Sequence, residues 1–179
     1  MPAPPRVGWG WHRLTDDWAE TIVAEARVRP GELVLDIGAG TGALTAALAR
    51  AGARVLAVEL HHTRVEALRR RFSGRDAVRV VRADAADLRL PRRPFRVVAN
   101  PPFAITSQLL RRLLAPGSRL THADLVLQRS AARRWADGRA PGAGRWARDY
   151  EISVTRGVPR GAFVPRPPVD GVVLAIRRR

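Results

Sequence analysis

The sequence predicts an α/β domain: a mostly parallel seven-stranded sheet with helices on both faces and a C-terminal antiparallel hairpin. Three observations carry this. Between Leu33 and Leu127, short apolar runs alternate with segments of helical period, the pattern of repeated βαβ units. Glycines or polar side chains punctuate the carboxyl ends of several of those runs, where open α/β sheets bind ligands. The last two apolar stretches, Tyr150–Val158 and Val172–Ile176, are joined by a segment too short for a crossover helix, so they close as a hairpin. A chain of 179 residues can bury one real core. No linker divides it, so residues 12–179 form a single domain behind an irregular Pro- and Gly-rich arm at 1–11 that carries Trp9 and Trp11.

Taken in order, the first helix starts at Thr15 or Asp16, either of which can cap it. Trp18, Ile22, Val23 and Ala26 give it one apolar face, and Pro30-Gly31 breaks it. Leu33–Ile37 is an apolar strand. Gly38-Ala39-Gly40-Thr41-Gly42 follows and leads into a helix over 43–51. Glycines at a strand-to-helix turn let the backbone approach a ligand closely, and Asp36, just before them, can engage a ligand amine. Arg54–Val58 is the second strand. It ends in Glu59, the position of a ribose-hydroxyl acceptor. His61–Phe72 is helical, with Val65 and Leu68 inward and Arg64, Arg69, Arg70 and Arg71 on a solvated basic face. Val78–Arg82 alternates as the third strand, and Asp84 beyond it can accept from an adenine amino group. Residues 88–96 read as a linker with Pro91 and Pro94.

The centre of the reading is the next stretch. Val97-Val98-Ala99 is a buried strand, and Asn100-Pro101-Pro102-Phe103 is its exit. The prolines donate no backbone N–H and hold the chain extended, so nearby carbonyls can accept from a ligand. An amide, an acceptor-rich turn and an aromatic plane suit a planar base with an exocyclic amino group. Ile105, Leu109, Leu110, Leu113 and Leu114 then make an amphipathic helix ended by Pro116-Gly117. Ala123–Leu127 is the fifth strand and Ser130–Ala136 a short helix. In the loop that follows, Arg139, Arg145 and Arg148 flank Trp146. Trp135 and Trp146 suit either stacking on unpaired bases or the core. Phe163–Gly171 is a rigid proline-rich segment that can project Phe163 toward the same mouth as Phe103.

The net charge is +16, with 32 basic residues against 16 acidic ones. Every basic residue is Arg. Such an excess predicts attraction to a polyanion, and the guanidinium is the better group for forked phosphate contacts. There is no cysteine, which excludes disulfides and thiolate metal sites. The four histidines, His12, His61, His62 and His122, show no metal-ligand spacing with carboxylates, so no metal is expected. No apolar run approaches the about 20 residues needed to span a bilayer, and residues 1–10 lack an apolar signal core. A cytoplasmic protein with no membrane partner is expected.

With these residues in place, the chain resembles the class I (Rossmann-like) S-adenosylmethionine-dependent methyltransferases, and more narrowly the Erm and KsgA family of rRNA adenine-N6 methyltransferases. Leu35–Thr45 is similar to the family's cofactor motif, and Val97–Leu114 to its catalytic motif and following helix. Leu125-Val126-Leu127-Gln128 and Phe163–Gly171, with Arg177-Arg178 after, resemble Erm signatures in particular. The resemblance covers about residues 12–179. It implies that S-adenosylmethionine is the cofactor. Asp36 and the turn of Gly38, Ala39, Gly40 and Gly42 would hold its methionine portion. Glu59, with Leu60, would bind the ribose, and Asp84, with Ala85, the adenine. His12 and Leu14 would contribute from the N-terminal cofactor motif. Asn100, which also closes on the cofactor, and the Pro101 carbonyl would hold the target amino group. Phe103 would stack on the flipped base, and Phe163 would close on its other side. The implied substrate is an adenine of 23S rRNA, naked or in precursor particles. The implied consequence is resistance to macrolide, lincosamide and streptogramin B antibiotics, and the expected enzyme is a monomer.

The chain departs from the family at three places. Pro101 stands where Leu or Ile is usual, a form shared with DNA adenine and protein glutamine methyltransferases. The N-terminal motif reads Trp11-His12-Arg13-Leu14, without its glutamine. The family's small C-terminal helical domain is not in this sequence, so the expectation is either RNA binding by the Arg-rich surface or a truncated or minimal form. The alternatives are therefore a methyltransferase acting on 16S rRNA adenine, DNA adenine or protein glutamine, and a catalytically silent RNA-binding scaffold.

Overall fold

The computed structural model describes residues 12–179; the expected arm, with Trp9 and Trp11, lies outside them. The strands are β1 (Arg13–Leu14), β2 (Leu33–Ile37), β3 (Arg54–Glu59), β4 (Val78–Arg82), β5 (Phe95–Ala99), β6 (Leu120–Gln128), β7 (Tyr150–Val158), β8 (Phe163–Val164) and β9 (Gly171–Arg178). The helices are α1 (Asp16–Ala26), α2 (Ala43–Arg50), α3 (His62–Arg71), α4 (Thr106–Leu113) and α5 (Arg129–Ala136). Seven strands form one sheet in the order β4-β3-β2-β5-β6-β9-β7. It is parallel from β4 to β6, and β9 runs antiparallel to both β6 and β7. Strand order reverses between β2 and β5, so the glycine turn after β2 and the Asn100 turn after β5 flank the crevice where such sheets bind ligands.

The pleat explains why these runs make this sheet. Leu35, Ile37, Val97, Ala99, Leu125 and Leu127 project to one face, with Leu109, Leu110 and Leu113 of α4 and Trp135 of α5. Val34, Val55, Val98 and Val126 project to the other, with Ile22 and Val23 of α1 and Leu44 and Leu48 of α2. Central strands covered on both faces are apolar almost throughout; all of β5 is buried, including Arg96.

Arg96 ends α1. Its guanidinium donates to Ala26 O and to Arg27 O, and pairs with Glu32 at 2.9 Å. Helix α1 has no basic residue in its last turn, and Arg27 adopts a left-handed conformation with φ 51°. The helix therefore stops before Pro30-Gly31, its final carbonyls satisfied by a buried cation from the sheet. The linker expected over 88–96 likewise gives way to β5 at Phe95.

A second departure organises the site. Residues 13–14 and 163–164 pair as a separate two-stranded sheet, with Leu14 opposite Phe163. Thr15 sits at the cap position of α1 without a side-chain cap bond; its backbone N–H instead donates to Ala162 O at 2.9 Å. Among the described residues, no helix is long and apolar enough to cross a membrane.

Candidate active site

A cavity of about 560 Å³ opens at the carboxyl ends of β2, β3 and β5. Its floor is the turn after β2. Gly38 (φ 78°) and Ala39 both donate to Val58 O, at 2.8 and 2.9 Å, which locks the turn to β3. A Cβ on Gly38 would stand 3.0 Å from Pro102 Cδ and 3.4 Å from Pro101 Cα. The glycine turn and the Asn100 turn thus touch only because residue 38 has no side chain.

Two buried carboxylates enter this cavity. Asp36 is 1% exposed, and its Oδ2 accepts from Thr45 Oγ1 at 2.6 Å. Burial pushes its carboxyl up to about 7; the Thr45 hydrogen bonds oppose that rise and the charge of Glu59 adds to it. Glu59 is held by three backbone N–H groups at 2.9 Å, from Gly40 on Oε2 and from Leu60 and His61 on Oε1. Arg64 Nη1 lies 4.0 Å from the same Oε1. Asp84 is exposed on the far wall, with Oδ1 accepting from Ala86 N at 2.9 Å.

At the other end, Asn100 Nδ2 donates to His12 O at 2.7 Å. One of the two amide N–H groups is thereby engaged, and Oδ1 accepts no hydrogen bond among the described residues, which leaves it available to a ligand. His12 Nδ1 lies 2.7 Å from Pro165 O, so the ring donates there when Nδ1 carries the proton. The His12 ring also stacks with Phe103, centroids 6.4 Å apart at 29°.

The structure brings His12, Leu14, Asp36, Gly38, Ala39, Gly40, Glu59, Leu60, Asp84, Ala85 and Asn100 to the wall of one cavity. Four expected site residues are not on that wall. Pro101 is buried beneath the turn, while Pro102 reaches the cavity. Phe103 stands half-buried beside it, behind His12. Gly42 (φ 92°) opens α2, and a Cβ there would meet the Phe72 ring at 2.8 Å and Leu68 at 2.9 Å, so its requirement is packing. Phe163 corrects the expectation of a second aromatic over the base. It is 1% exposed and packed in the core with Leu14, Ile22 and Val126, because its β8 pairing turns the ring inward.

Sequence reasoning missed other wall residues, among them His61, Arg64, Ile105 and Pro165. Helix α3 begins directly after Glu59, so its first turn faces the strand end, a signal that was available for His61 and Arg64. Arg71 stays exposed on the solvated face, as Arg69 and Arg70 do, while donating to Thr41 O at 2.6 Å and lying over Phe72; Arg64 is the one of the four that is half-buried. Trp135 is buried and stacks on the half-buried Trp146, ring centroids 5.0 Å apart, which places Trp135 in the core and packs Trp146 against it.

A family model described as ribosomal RNA adenine dimethylase matches residues 12–179. The chain is 41% identical to the mycinamicin-resistance protein MyrB of Micromonospora griseorubida, over 88% of this chain and 50% of that protein. It is 35% identical to the ribosomal RNA small subunit methyltransferase A of Moorella thermoacetica, over 98% of this chain and 67% of that protein. Among solved structures it is similar to the 23S rRNA methyltransferase ErmE, with a TM-score of 0.79 and 32% identity over 93% of this chain and 69% of that one. The chain spans between half and about two thirds of the length of these curated relatives.

Proposed function

Because the chain belongs to the ribosomal RNA adenine dimethylase family, we propose that it is an S-adenosylmethionine-dependent methyltransferase acting on N6 of an adenine in 23S rRNA. The observation that carries this reading is the orientation of Asn100. Its Nδ2 donates to His12 O, and the residue lines the cavity shared with the glycine turn with Oδ1 left as an unused acceptor.

The cavity fits the cofactor. Asp36 is a buried carboxylate whose ionisation burial disfavours, so a ligand ammonium is the partner that would stabilise its charged form. Glu59 is preorganised by three N–H groups and keeps lone pairs for ribose hydroxyls. Asp84 and the Ala85 backbone would take the adenine, and Leu60, 49% exposed, offers an apolar face to it. When bound, S-adenosylmethionine supplies a methyl group already activated by its sulfonium centre. The chain's own task is then alignment and electrostatics. Asn100 Oδ1 and the Pro101 carbonyl would accept hydrogen bonds from the two N6–H groups, one of whose protons passes to solvent once the methyl has been transferred. Those hydrogen bonds draw the amine nitrogen toward tetrahedral geometry and return its lone pair from the ring. Phe103 and His12 would pack against the base once it has left its stack.

The likeness to ErmE, a 23S rRNA methyltransferase, favours 23S rRNA. The likeness to MyrB, a mycinamicin-resistance protein, favours antibiotic resistance as the consequence, here macrolide, lincosamide and streptogramin B resistance. The proposed enzyme is a cytoplasmic monomer acting on naked RNA or precursor particles. The likeness to the Moorella thermoacetica protein favours a small-subunit rRNA adenine as the second reading. The test is methyl transfer from labelled S-adenosylmethionine to naked 23S and 16S rRNA, with the modified nucleotide mapped. Label on one 23S adenine is expected. Label confined to 16S rRNA selects the second reading, and no label on either overturns both.

A further inference from the structure

On the proposed function the target base alone would enter at the Asn100 turn, and the RNA strand would continue past it. A second depression, of about 610 Å³, opens where β6 passes into α5. Arg129 and Arg133, one helical turn apart on α5, and Arg160, on the turn before β8, surround it, with Pro168, Val169 and Asp170 as further wall. All three arginines are exposed. Among the described residues none of their guanidinium groups makes a hydrogen bond or an ion pair. Some arginines of the fold are committed, Arg96 to α1, Arg156 to Glu25, Arg177 to Asp124 and Arg178 to Ser118 O; what sets these three apart from other exposed arginines is that they line one hollow. The only carboxylate in the depression is Asp170, and its Oδ1 already accepts from Arg160 N at 2.8 Å. Three uncommitted guanidiniums converging on one hollow leave it strongly cationic.

Its place relative to the first cavity is set by one short segment. Pro165 lines the Asn100 cavity and Pro168 lines the depression. Three residues span at most about 11 Å, the reach of about one or two nucleotides. Val169, 48% exposed, adds an apolar surface beside the charges.

We propose that this depression is a phosphodiester subsite for the RNA strand adjoining the target adenosine. Arg129, Arg133 and Arg160 contact the backbone oxygens, and Val169 packs on a ribose. Guanidinium forks match phosphate oxygens, and backbone contacts of this kind fix register without reading sequence. The assignment rests on the RNA methyltransferase reading above and deepens it.

The test compares the full chain with the triple variant R129A/R133A/R160A and with R89A/R92A/R93A. The control removes equal charge from exposed positions before β5, at the opposite end of the sheet. Affinity for a labelled single-stranded RNA oligonucleotide is measured against salt. Each lost phosphate contact lowers the slope of log K against log salt by about 0.7. The subsite variant is therefore expected to lose roughly 2 in slope, and the control distinctly less. Equal slopes for the two variants overturn the proposal. So does saturable binding of inorganic phosphate that the subsite variant abolishes while its RNA slope stays that of the full chain. Melting temperature and S-adenosylmethionine binding report folding. If the triple variant melts early, R129Q and R133Q are measured singly, each expected to lower the slope by about 0.7, and an unchanged slope in both overturns the assignment. Absence of methyl transfer by the unaltered chain would overturn the enzyme reading and leave this binding comparison intact.

Discussion

The side-chain amide of Asn100 donates to the backbone carbonyl of His12 across 2.7 Å, joining residues 88 positions apart. His12 is held in turn by Pro165 O at 2.7 Å and by the pairing of β1 with β8. The orientation of the amide proposed to meet the target base is thus set by a strap made of two distant segments. Asn100→Ala is expected to lower kcat by roughly a hundredfold or more, the scale for losing one preorganised polar group at a reacting centre. The dissociation constant for S-adenosylmethionine should stay nearly unchanged by calorimetry. Equal loss of both would move Asn100 out of the catalytic role.

Asp36 makes stability and ligand binding depend on pH. Its folded value of about 7 stands above the ordinary 3.8 of a free carboxyl. Below pH 4 both states hold the proton. Between pH 4 and 7 the unfolded chain ionises first, so the ligand-free protein loses stability as pH rises, and the loss levels off above 7. Asp36→Asn keeps the acceptor for Thr45 and should flatten that part of the melting-temperature profile. Affinity for S-adenosylmethionine should rise toward pH 7 in the unaltered chain, with proton release detectable in buffers of different ionisation enthalpy. A pH-independent affinity would show that Asp36 does not meet a cationic group of the ligand.

Phe163 and Phe103 separate packing from catalysis. Phe163→Ala empties a core position that is 1% exposed and should cost about 3–5 kcal/mol in urea unfolding. Phe103→Ala changes a half-buried ring beside His12. It should leave the unfolding midpoint close to that of the unaltered chain while lowering single-turnover methyl transfer. A reversed pattern would return Phe163 to the mouth of the site.

Gly38 and Gly74 form a matched pair. Both have strongly positive φ, 78° and 74°. A Cβ at Gly74 meets nothing within 4 Å, whereas at Gly38 it meets the Pro102 ring at 3.0 Å. Gly74→Ala therefore measures the dihedral cost alone, about 1–2 kcal/mol. Gly38→Ala should cost more, because a proline ring has no rotamer through which to yield, and it should also reduce turnover by displacing the Asn100 turn. Equal stability losses and an unchanged rate would show that the two turns are not in functional contact.

Much of this protein was legible one residue at a time. Period-2 and period-3.6 patterns marked strands and helices because burial on a pleat or a helix face is a local constraint. The ligand turns were legible because open α/β sheets bind at strand ends, so Asp36, Glu59, Asp84 and Asn100 could be named from position alone. Phe163 was expected at the mouth of the site and lies in the core. An aromatic after a strand, in a rigid proline-rich segment, is compatible with a mouth or a core, and its two-residue pairing with Leu14 is too short to leave a periodic signal. The end of α1 was misplaced for a similar reason. Pro30-Gly31 is a local stop, yet the helix is ended by Arg96 from a strand far along the chain.

The sequence by itself determined the fold class, the order of the elements and the chemical types at the strand ends, all consequences of local pattern and connection length. Only the tertiary structure decided which way Asn100 turns its amide, which aromatic rings pack into the core and which arginines pair with a partner. Those outcomes depend on contacts between segments tens of residues apart, and local pattern carries no record of which distant partner satisfies a given donor or fills a given space.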